Sequence, residues 1–155
     1  MRKQIILSIW VMLVFAISFS VQAQERVRVL SLEDAQRISD AAEARARQDN
    51  WNVVITILDA GGHLVALRRM DGTQIGSVEV GIQKATSALK FKRPTKVFED
   101  AVKSGNVHLI SLPGVVAVEG GLPIKDGDQV IGSIGVSGVT SAQDGIIAAA
   151  GLESF

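Results

Sequence analysis

The pattern of apolar and polar positions predicts a glycine-rich group of strands in the second half of the chain. Across residues 113–138, short β-branched runs alternate with glycines, and Asp126-Gly127 is typical of a hairpin turn. The runs predict strands at residues 115–118, 122–124 and 129–136. Glycine weakens a strand unless another backbone or a ligand comes close, so Gly132 and Gly135 predict a hairpin with one bare face.

Two more strands are predicted ahead of this group, at residues 51–58 and 63–69, joined by a tight reversal at residues 59–62. Successive side chains of a strand point to opposite faces of its sheet. In residues 51–58 the side chains of both faces are mostly apolar, which indicates a strand in the interior of the sheet.

Apolar residues spaced three and four apart predict helices around these strands. The first helix begins at Ser31, where Ser31 and Asp34 suit a capping box. Further helices are predicted at residues 75–91, 95–103 and 142–152. In the helix at 75–91 we expect an apolar stripe to be packed against the sheet: Ile75, Val78, Ile82, Ala85 and Leu89.

The order of these elements predicts the fold class. A helix precedes two strands, two helices, about three strands and a last helix. Strands that follow one another through hairpins form an antiparallel sheet, and helices cover it. The pattern therefore predicts an α/β protein of the α+β kind, with a mainly antiparallel sheet of about five strands.

Residues 1–23 have the pattern of a secretory signal peptide. Arg2 and Lys3 precede an apolar run at residues 5–19, and Val21-Gln22-Ala23 supplies the small residues of a cleavage site. An uncleaved membrane anchor is the alternative, but the run is short for a span of about 20 apolar residues. We expect cleavage after Ala23, a single domain at residues 24–155, and a periplasmic or secreted protein.

Composition narrows the partners and the chemistry. Without Arg2 and Lys3, the 16 basic residues become 14 against 16 acidic ones, a net charge of 14 − 16 = −2. Nucleic-acid binding demands a basic face, so this charge argues against it. The chain has no cysteine, which excludes disulfides and thiolate chemistry.

Short motifs in a fixed order resemble the GlcG/HbpS-type haem-binding family, which includes the domain appended to some PduO-type cobalamin adenosyltransferases. They span about residues 30–152 and comprise DAGGHLVA at 59–66, RMDG at 69–72, KA at 84–85, PT at 94–95, PG at 113–114, GGLPI at 120–124, DG at 126–127, VIGSIGVSG at 130–138 and QD at 143–144. Gly145 departs from the resemblance, which leads us to expect an acidic residue there. The resemblance implies a profilin-like three-layer α/β/α sandwich that binds haem or a related tetrapyrrole.

Few side chains after residue 23 are able to hold a haem iron. They are His63, His108 and Met70, unless a hydroxyl or lysine serves. Each histidine is alternatively an ordinary surface residue; with the resemblance, both become predicted iron ligands, His63 ahead of His108. Zinc sites need three or four ligands at characteristic spacings, and the sequence has no such spacing.

A cationic rim for haem propionates is predicted around the helix at residues 75–91. Lys84 and Arg69 are included in the predicted cofactor site, and other cations nearby are Arg68, Lys90, Lys92 and Arg93. The alternative for these charges is a solvated helix face. Ser137 is also included, although its spacing fails the nucleophile-elbow pattern and a strand-end hydroxyl is the alternative.

Three hypotheses of function follow. The first is an exported protein that binds haem or a related tetrapyrrole. The second is a haem-degrading or glycolate-related enzyme, which the sequence favours less because it shows no catalytic constellation. The third is an accessory protein that presents its surface to a membrane sensor or transporter in the cell envelope. We also expect a homo-oligomer, because a few helices leave apolar surface and strand edges of such a sheet uncovered.

Overall fold

The computed structural model describes residues 28–155, so the predicted signal peptide lies outside the described residues. The helices and strands follow in the predicted order along the chain. The bounds are α1 (Leu32–Gln48), β1 (Val54–Asp59), β2 (Leu64–Arg69), α2 (Gly76–Phe91), α3 (Thr95–Lys103), a 3-10 helix (Val107–Ser111), β3 (Gly121–Asp126), β4 (Gln129–Ser137) and α4 (Ser141–Leu152).

The strands form one antiparallel sheet in the order β2-β1-β4-β3. α1 and α4 pack together on one face, and α2 lies on the other face over β1, β4 and β3. The three-layer α/β/α architecture is confirmed, with β1 in the interior of the sheet as predicted. Within residues 28–155, no helix is long and apolar enough to cross a membrane.

The sheet has four strands rather than about five, because residues 115–118 do not form a strand. Gly114 turns the chain with φ +86° at the start of this segment. The Val116 N–H then donates a hydrogen bond of 3.1 Å to the Ser87 hydroxyl on α2. A side chain of a helix therefore satisfies a backbone donor that a neighbouring strand would otherwise bind.

One face of the sheet is a conventional apolar layer. Val53, Ile55 and Ile57 are fully buried and pack with residues of α1 and α4 such as Ile38 and Ile147. Burying side chains of this size stabilises the fold by about 1.5–3 kcal/mol each. The Ser31–Asp34 capping box predicted for α1 is present and starts the helix that covers this layer.

The other face is packed in a different way, with backbone against backbone. The buried face of α2 carries small or polar residues: Ser77, Gly81, Lys84, Ala85, Ser87 and Ala88. A Cβ added to Gly135 on β4 would overlap the Gly81 carbonyl oxygen and lie 2.6 Å from the Ala85 amide nitrogen. The backbone of α2, rather than a ligand, therefore requires the glycine at position 135. Gly132 lies on the opposite face, where an added Cβ would be 2.9 Å from Cδ2 of Leu30, so the prediction that both glycines leave one face of the hairpin bare is wrong.

The predicted packing of the α2 stripe is wrong for all its members except Ala85. Ile75 is 79% exposed, and Val78, Ile82 and Leu89 are only half-buried. The close approach of the helix to β4 leaves no room for large side chains beneath it. The apolar stripe consequently lies along one flank of α2, beside the sheet rather than on it.

Gly135→Ala tests this packing. We expect the substitution to lower the free energy of unfolding by about 3 kcal/mol, at the upper end of overpacking effects, because the clashing atoms are backbone. Chemical denaturation provides the measurement. Gly76→Ala is the matched control, since an added Cβ there meets nothing within 4 Å. Equal stability of the two variants would contradict direct backbone packing.

Candidate functional site

His63 lies in the reversal between β1 and β2, and Asp59 organises that reversal. The Asp59 carboxylate accepts hydrogen bonds from the backbone N–H groups of Gly61 (2.8 Å) and His63 (2.9 Å). Its Oδ1 also lies 3.3 Å from Nδ1 of the His63 ring, and the histidine side chain is 81% exposed. One ring nitrogen of His63 thus faces a carboxylate, and within residues 28–155 no carboxylate lies at salt-bridge distance from Nε2.

The same hydrogen bonds keep Asp59 ionised. The His63 N–H contributes most to lowering the pKa of the carboxyl group, burial opposes it, and the Gly61 N–H and the His63 ring add to the lowering. A carboxylate beside one imidazole nitrogen fixes the tautomer and orientation that a metal-ligating histidine needs at the other nitrogen.

An open apolar surface, the α2–β2 trough, begins beside His63. It lies between the flank of α2 that carries Val78, Ile82 and Leu89 and the face of β2 that carries Leu64 and Leu67. Leu64 is 54% exposed, and the other four residues are half-buried.

The strand register places Leu64 and Leu67 in this trough. Leu67 pairs with Thr56 and Leu64 with Leu58, because a bulge shifts the register between Ile57 and Leu58. Thr56 faces α2, since a Cβ on Gly81 would lie 3.1 Å from its hydroxyl oxygen. Both leucines therefore share the α2 side of the sheet.

A contact between the reversal and α2 fixes one end of the trough. A Cβ on Gly62 would lie 3.6 Å from Cδ2 of Leu89. His63 therefore lies at the end of the trough where α2 finishes, near Phe91.

Met70 and Arg69 lie at the opposite end of β2 from His63. The seven residue steps between His63 and Met70 correspond to about 20 Å of extended chain. Met70 is only 8% exposed and belongs to the apolar core. The expected site near both His63 and Met70 is therefore corrected: one chain does not bring these two side chains to a common iron. Arg69 donates hydrogen bonds from Nη2 (2.8 Å) and Nε (3.2 Å) to the Thr73 carbonyl oxygen.

His108 lies on the 3-10 helix, which packs against α3. The side chain is exposed, and its neighbours Val107 and Ile110 are 59% and 63% exposed. A shallow groove of about 300 Å³ lies between α2 and the segment that follows the 3-10 helix. Its lining residues are Gln83, Thr86, Gly114, Val115 and Val116. His108 is not among these lining residues.

Lys84 and Ser137, both predicted to bind the cofactor, are buried between α2 and the sheet instead of lying on the surface. Lys84 is 1% exposed, and its Nζ donates to Asp144 Oδ2 at 2.7 Å and to the Val136 carbonyl oxygen at 3.0 Å. Ser137 donates from Oγ to the Ser77 hydroxyl at 3.2 Å. Lys84 thus ties α2 to β4 and α4, and it does not form part of an exposed cationic rim.

The buried position of Asp144 affects its ionisation. Burial raises the pKa of its carboxyl group, although the Lys84 ammonium and the backbone N–H of Val139 oppose the rise. Gly145 next to it leaves room for Glu119, whose Cγ would lie 2.7 Å from an added Cβ. The acidic side chain expected at position 145 would therefore meet Glu119, and the first turn of α4 serves the ion pair through Asp144.

The predicted cationic rim is only partly available. Arg68 forms ion pairs with Asp40 (2.5 Å) and Glu43 (3.1 Å) on α1. Within residues 28–155, the cations without a carboxylate at salt-bridge distance are Arg69, Lys90, Lys92, Arg93 and Lys125. In the same part of the chain, no group of three or more histidine and carboxylate side chains is arranged to hold a metal ion.

The family model described as haem degrading protein HbpS-like matches residues 30–153. The chain belongs to the HbpS-like family. It is 38% identical over 109 residues to the protein GlcG of Escherichia coli K12, an overlap of 70% of this chain and 81% of GlcG.

Two solved structures share the HbpS-like fold. The crystal structure of a PduOC:heme complex superposes with a TM-score of 0.75 at 30% identity, covering 83% of this chain and 96% of that one. A double mutant of HbpS from Streptomyces reticuli superposes with a TM-score of 0.75 at 26% identity, covering 85% and 90%.

Two features around the candidate site are not among the predictions from the sequence. The first is the role of Asp59 in the reversal. An aspartate at the first position of a tight turn commonly accepts a hydrogen bond from the backbone two residues on, and this could have indicated the role. The Lys84–Asp144 pair joins two motifs of the resemblance, but residues 60 positions apart in the chain give no local sign of contact.

A single and a double substitution test the Lys84–Asp144 pair. We expect Asp144→Leu alone to lower the free energy of unfolding by about 3–5 kcal/mol, because it leaves a buried ammonium without a counter-ion. Adding Lys84→Met should recover most of that loss, since an apolar pair avoids the desolvation penalty. Urea denaturation measures both changes, and Lys96→Met, which removes an exposed cation, is the control. A double variant as unstable as Asp144→Leu would contradict a direct pair.

Proposed function

We propose that this protein binds haem, with His63 as an iron ligand at the end of the α2–β2 trough. The single observation that carries the proposal is the exposed imidazole of His63, whose Nδ1 faces Asp59 beside an apolar surface. Family membership supports it, because the family is described as haem degrading and a related PduO domain has been solved as a heme complex.

The residues at this end of the trough suit the chemistry of haem. Imidazole is a common axial ligand of haem iron, and a carboxylate on its second nitrogen raises its basicity. Apolar side chains such as Leu64 and Leu89 match the porphyrin surface. Bound haem would supply a redox-active iron, and the chain would supply its ligand, its orientation and its exclusion from water.

One protomer leaves this site open. Leu64 at the start of the trough is 54% exposed, so the trough is open to solvent in a single chain. Ligand sites usually bury 70–90% or more of the surface of their ligand, which an open trough does not. We therefore propose that the protein is a homo-oligomer in which a second copy covers the trough.

The two edge strands of the sheet differ in how well they are protected from pairing, and this difference supports the assembly. On β3, Pro123 has no N–H to offer, and the Gly121 N–H donates to the Thr95 hydroxyl at 3.0 Å. These features protect an edge from pairing. β2, the other edge strand, borders the trough, and α2 on that side of the sheet packs over β1, β4 and β3.

Haem titration tests the proposed ligand. We expect saturable binding with a Soret shift for the wild type, and a larger loss of affinity and a changed spectrum in His63→Ala than in His108→Ala, because the axial ligand sets the electronic state of the iron. Absorption spectroscopy provides both readouts. If both variants gave the wild-type spectrum, ligation of the iron by these histidines would be ruled out. If haem showed no Soret shift with the wild type, haem binding itself would be overturned.

Light scattering tests the proposed assembly. We expect the purified protein at micromolar concentration to have the mass of at least two chains, because closed symmetric oligomers are the usual way to cover an apolar surface. Leu64→Glu, which places a charge in the trough, should shift the mass towards one chain. A wild-type mass of one chain, unchanged by dilution or salt, would refute the assembly.

A further inference from the structure

Three exposed cations follow one another at the C-terminal end of α2. Lys90 is in the last turn of the helix, Lys92 closes it in a left-handed conformation with φ 52°, and Arg93 comes next. We call these three residues the basic cluster. Within residues 28–155, no carboxylate lies at salt-bridge distance from any of them, whereas most other cations in that range are paired.

The other contacts of the basic cluster leave its charges unneutralised. The Lys90 ammonium lies beside Gly114, where an added Cβ would be 3.2 Å from Nζ. The Arg93 guanidinium lies 5.8 Å from the ring centre of Phe98 and donates from Nε to the Phe91 carbonyl oxygen at 3.2 Å. A single cation complements a helix dipole at this position. Three neighbouring cations, none of which has a counter-ion within residues 28–155, are the arrangement expected of an anion-binding surface.

The end of α2 that carries Lys92 and Arg93 adjoins the His63 end of the α2–β2 trough, whereas the Lys90 ammonium lies beside Gly114 on the other flank of the helix. Gly62 approaches Leu89, the residue that precedes Lys90. The opposite end of the trough is marked by Arg69, about 20 Å from His63 along the strand. Arg69 already directs two of its donors to the Thr73 carbonyl oxygen.

Haem has one edge of apolar substituents and one edge of propionate carboxylates. With the iron at His63, the apolar edge would match the trough and the carboxylate edge would face the end of α2. We infer that Lys92 and Arg93 of the basic cluster bind the haem propionates and that Arg69 does not. The inference rests on the proposed haem-binding function and assigns the orientation of the ligand within that site.

The test compares haem with its dimethyl ester, in which the propionates carry no charge. The purified protein is titrated with each ligand as the wild type, as the double variant Lys92→Gln/Arg93→Gln, as Arg69→Gln and as Lys125→Gln. Lys125 is the matched control, because it is also an unpaired cation but lies on the β3–β4 hairpin. Circular dichroism confirms that every variant is folded.

We expect the double variant to raise the Kd for haem about five-fold, the effect of losing one or two exposed ion pairs. Its Kd for the dimethyl ester and the Soret position of the haem complex should stay at the wild-type values. Arg69→Gln and Lys125→Gln should each change the Kd for haem by less than about two-fold, as for ordinary surface substitutions. Added salt should weaken haem binding to the wild type more than to the double variant.

The outcomes separate this inference from the proposed function. If the wild type fails to bind haem, or if His63→Ala leaves binding and spectrum unchanged, the haem site itself is overturned. If binding depends on His63 but the double variant keeps the wild-type Kd for haem, only the role of the basic cluster is overturned. An equal loss in Lys125→Gln, or a larger loss in Arg69→Gln, would also overturn it.

Discussion

The close approach of α2 to the backbone of β4 is the constraint on which the rest of this structure depends. Gly135 and Gly81 allow the two backbones to meet, and small residues complete the interface. Because nothing larger fits beneath the helix, its apolar residues lie along its flank. The α2–β2 trough is therefore a direct consequence of the packing that holds the sheet and helix together.

The same approach explains why a lysine is acceptable in the interior. Lys84 lies within a layer that has little apolar volume, and its ammonium binds Asp144 and the Val136 carbonyl oxygen. Buried ion pairs add little net stability over an apolar pair, but breaking one is costly. Since the pair joins α2 to β4 and α4, we interpret it as a device that fixes the position of the helix on a surface with few interlocking side chains.

Much of the fold follows from local patterns in the sequence. Alternation and turn residues predict β1, β2 and the β3–β4 hairpin. Helical spacing predicts α1 and α2, and capping residues predict α3 and α4, with bounds close to those observed within residues 28–155. The fifth strand fails because residues 115–118 have strand-forming side chains but lie along α2, where Ser87 binds the Val116 N–H. That outcome depends on a contact between residues 29 positions apart in the sequence, and strand propensity carries no information about such a contact.

The candidate site is harder to predict because its parts are set by register and by helix rotation. The spacing of Ile75, Val78 and Ile82 identifies an apolar face of α2, but only the glycine contacts show that this face is turned away from the sheet. Similarly, the bulge between Ile57 and Leu58 brings Leu64 and Leu67 to the same side of β2.

His63 is the predicted residue whose surroundings most resemble a ligand site, and the reason lies in its turn. Asp59 accepts hydrogen bonds from the backbone of the reversal, and the same Oδ1 lies 3.3 Å from Nδ1 of the imidazole, so the residue that forms the turn also faces the ring. Met70 and Lys84 lie in other motifs of the resemblance but are almost fully buried, where they support the fold. A motif of the resemblance therefore does not by itself mark a ligand-binding residue, and exposure separates the candidate ligand His63 from the buried residues that support the fold.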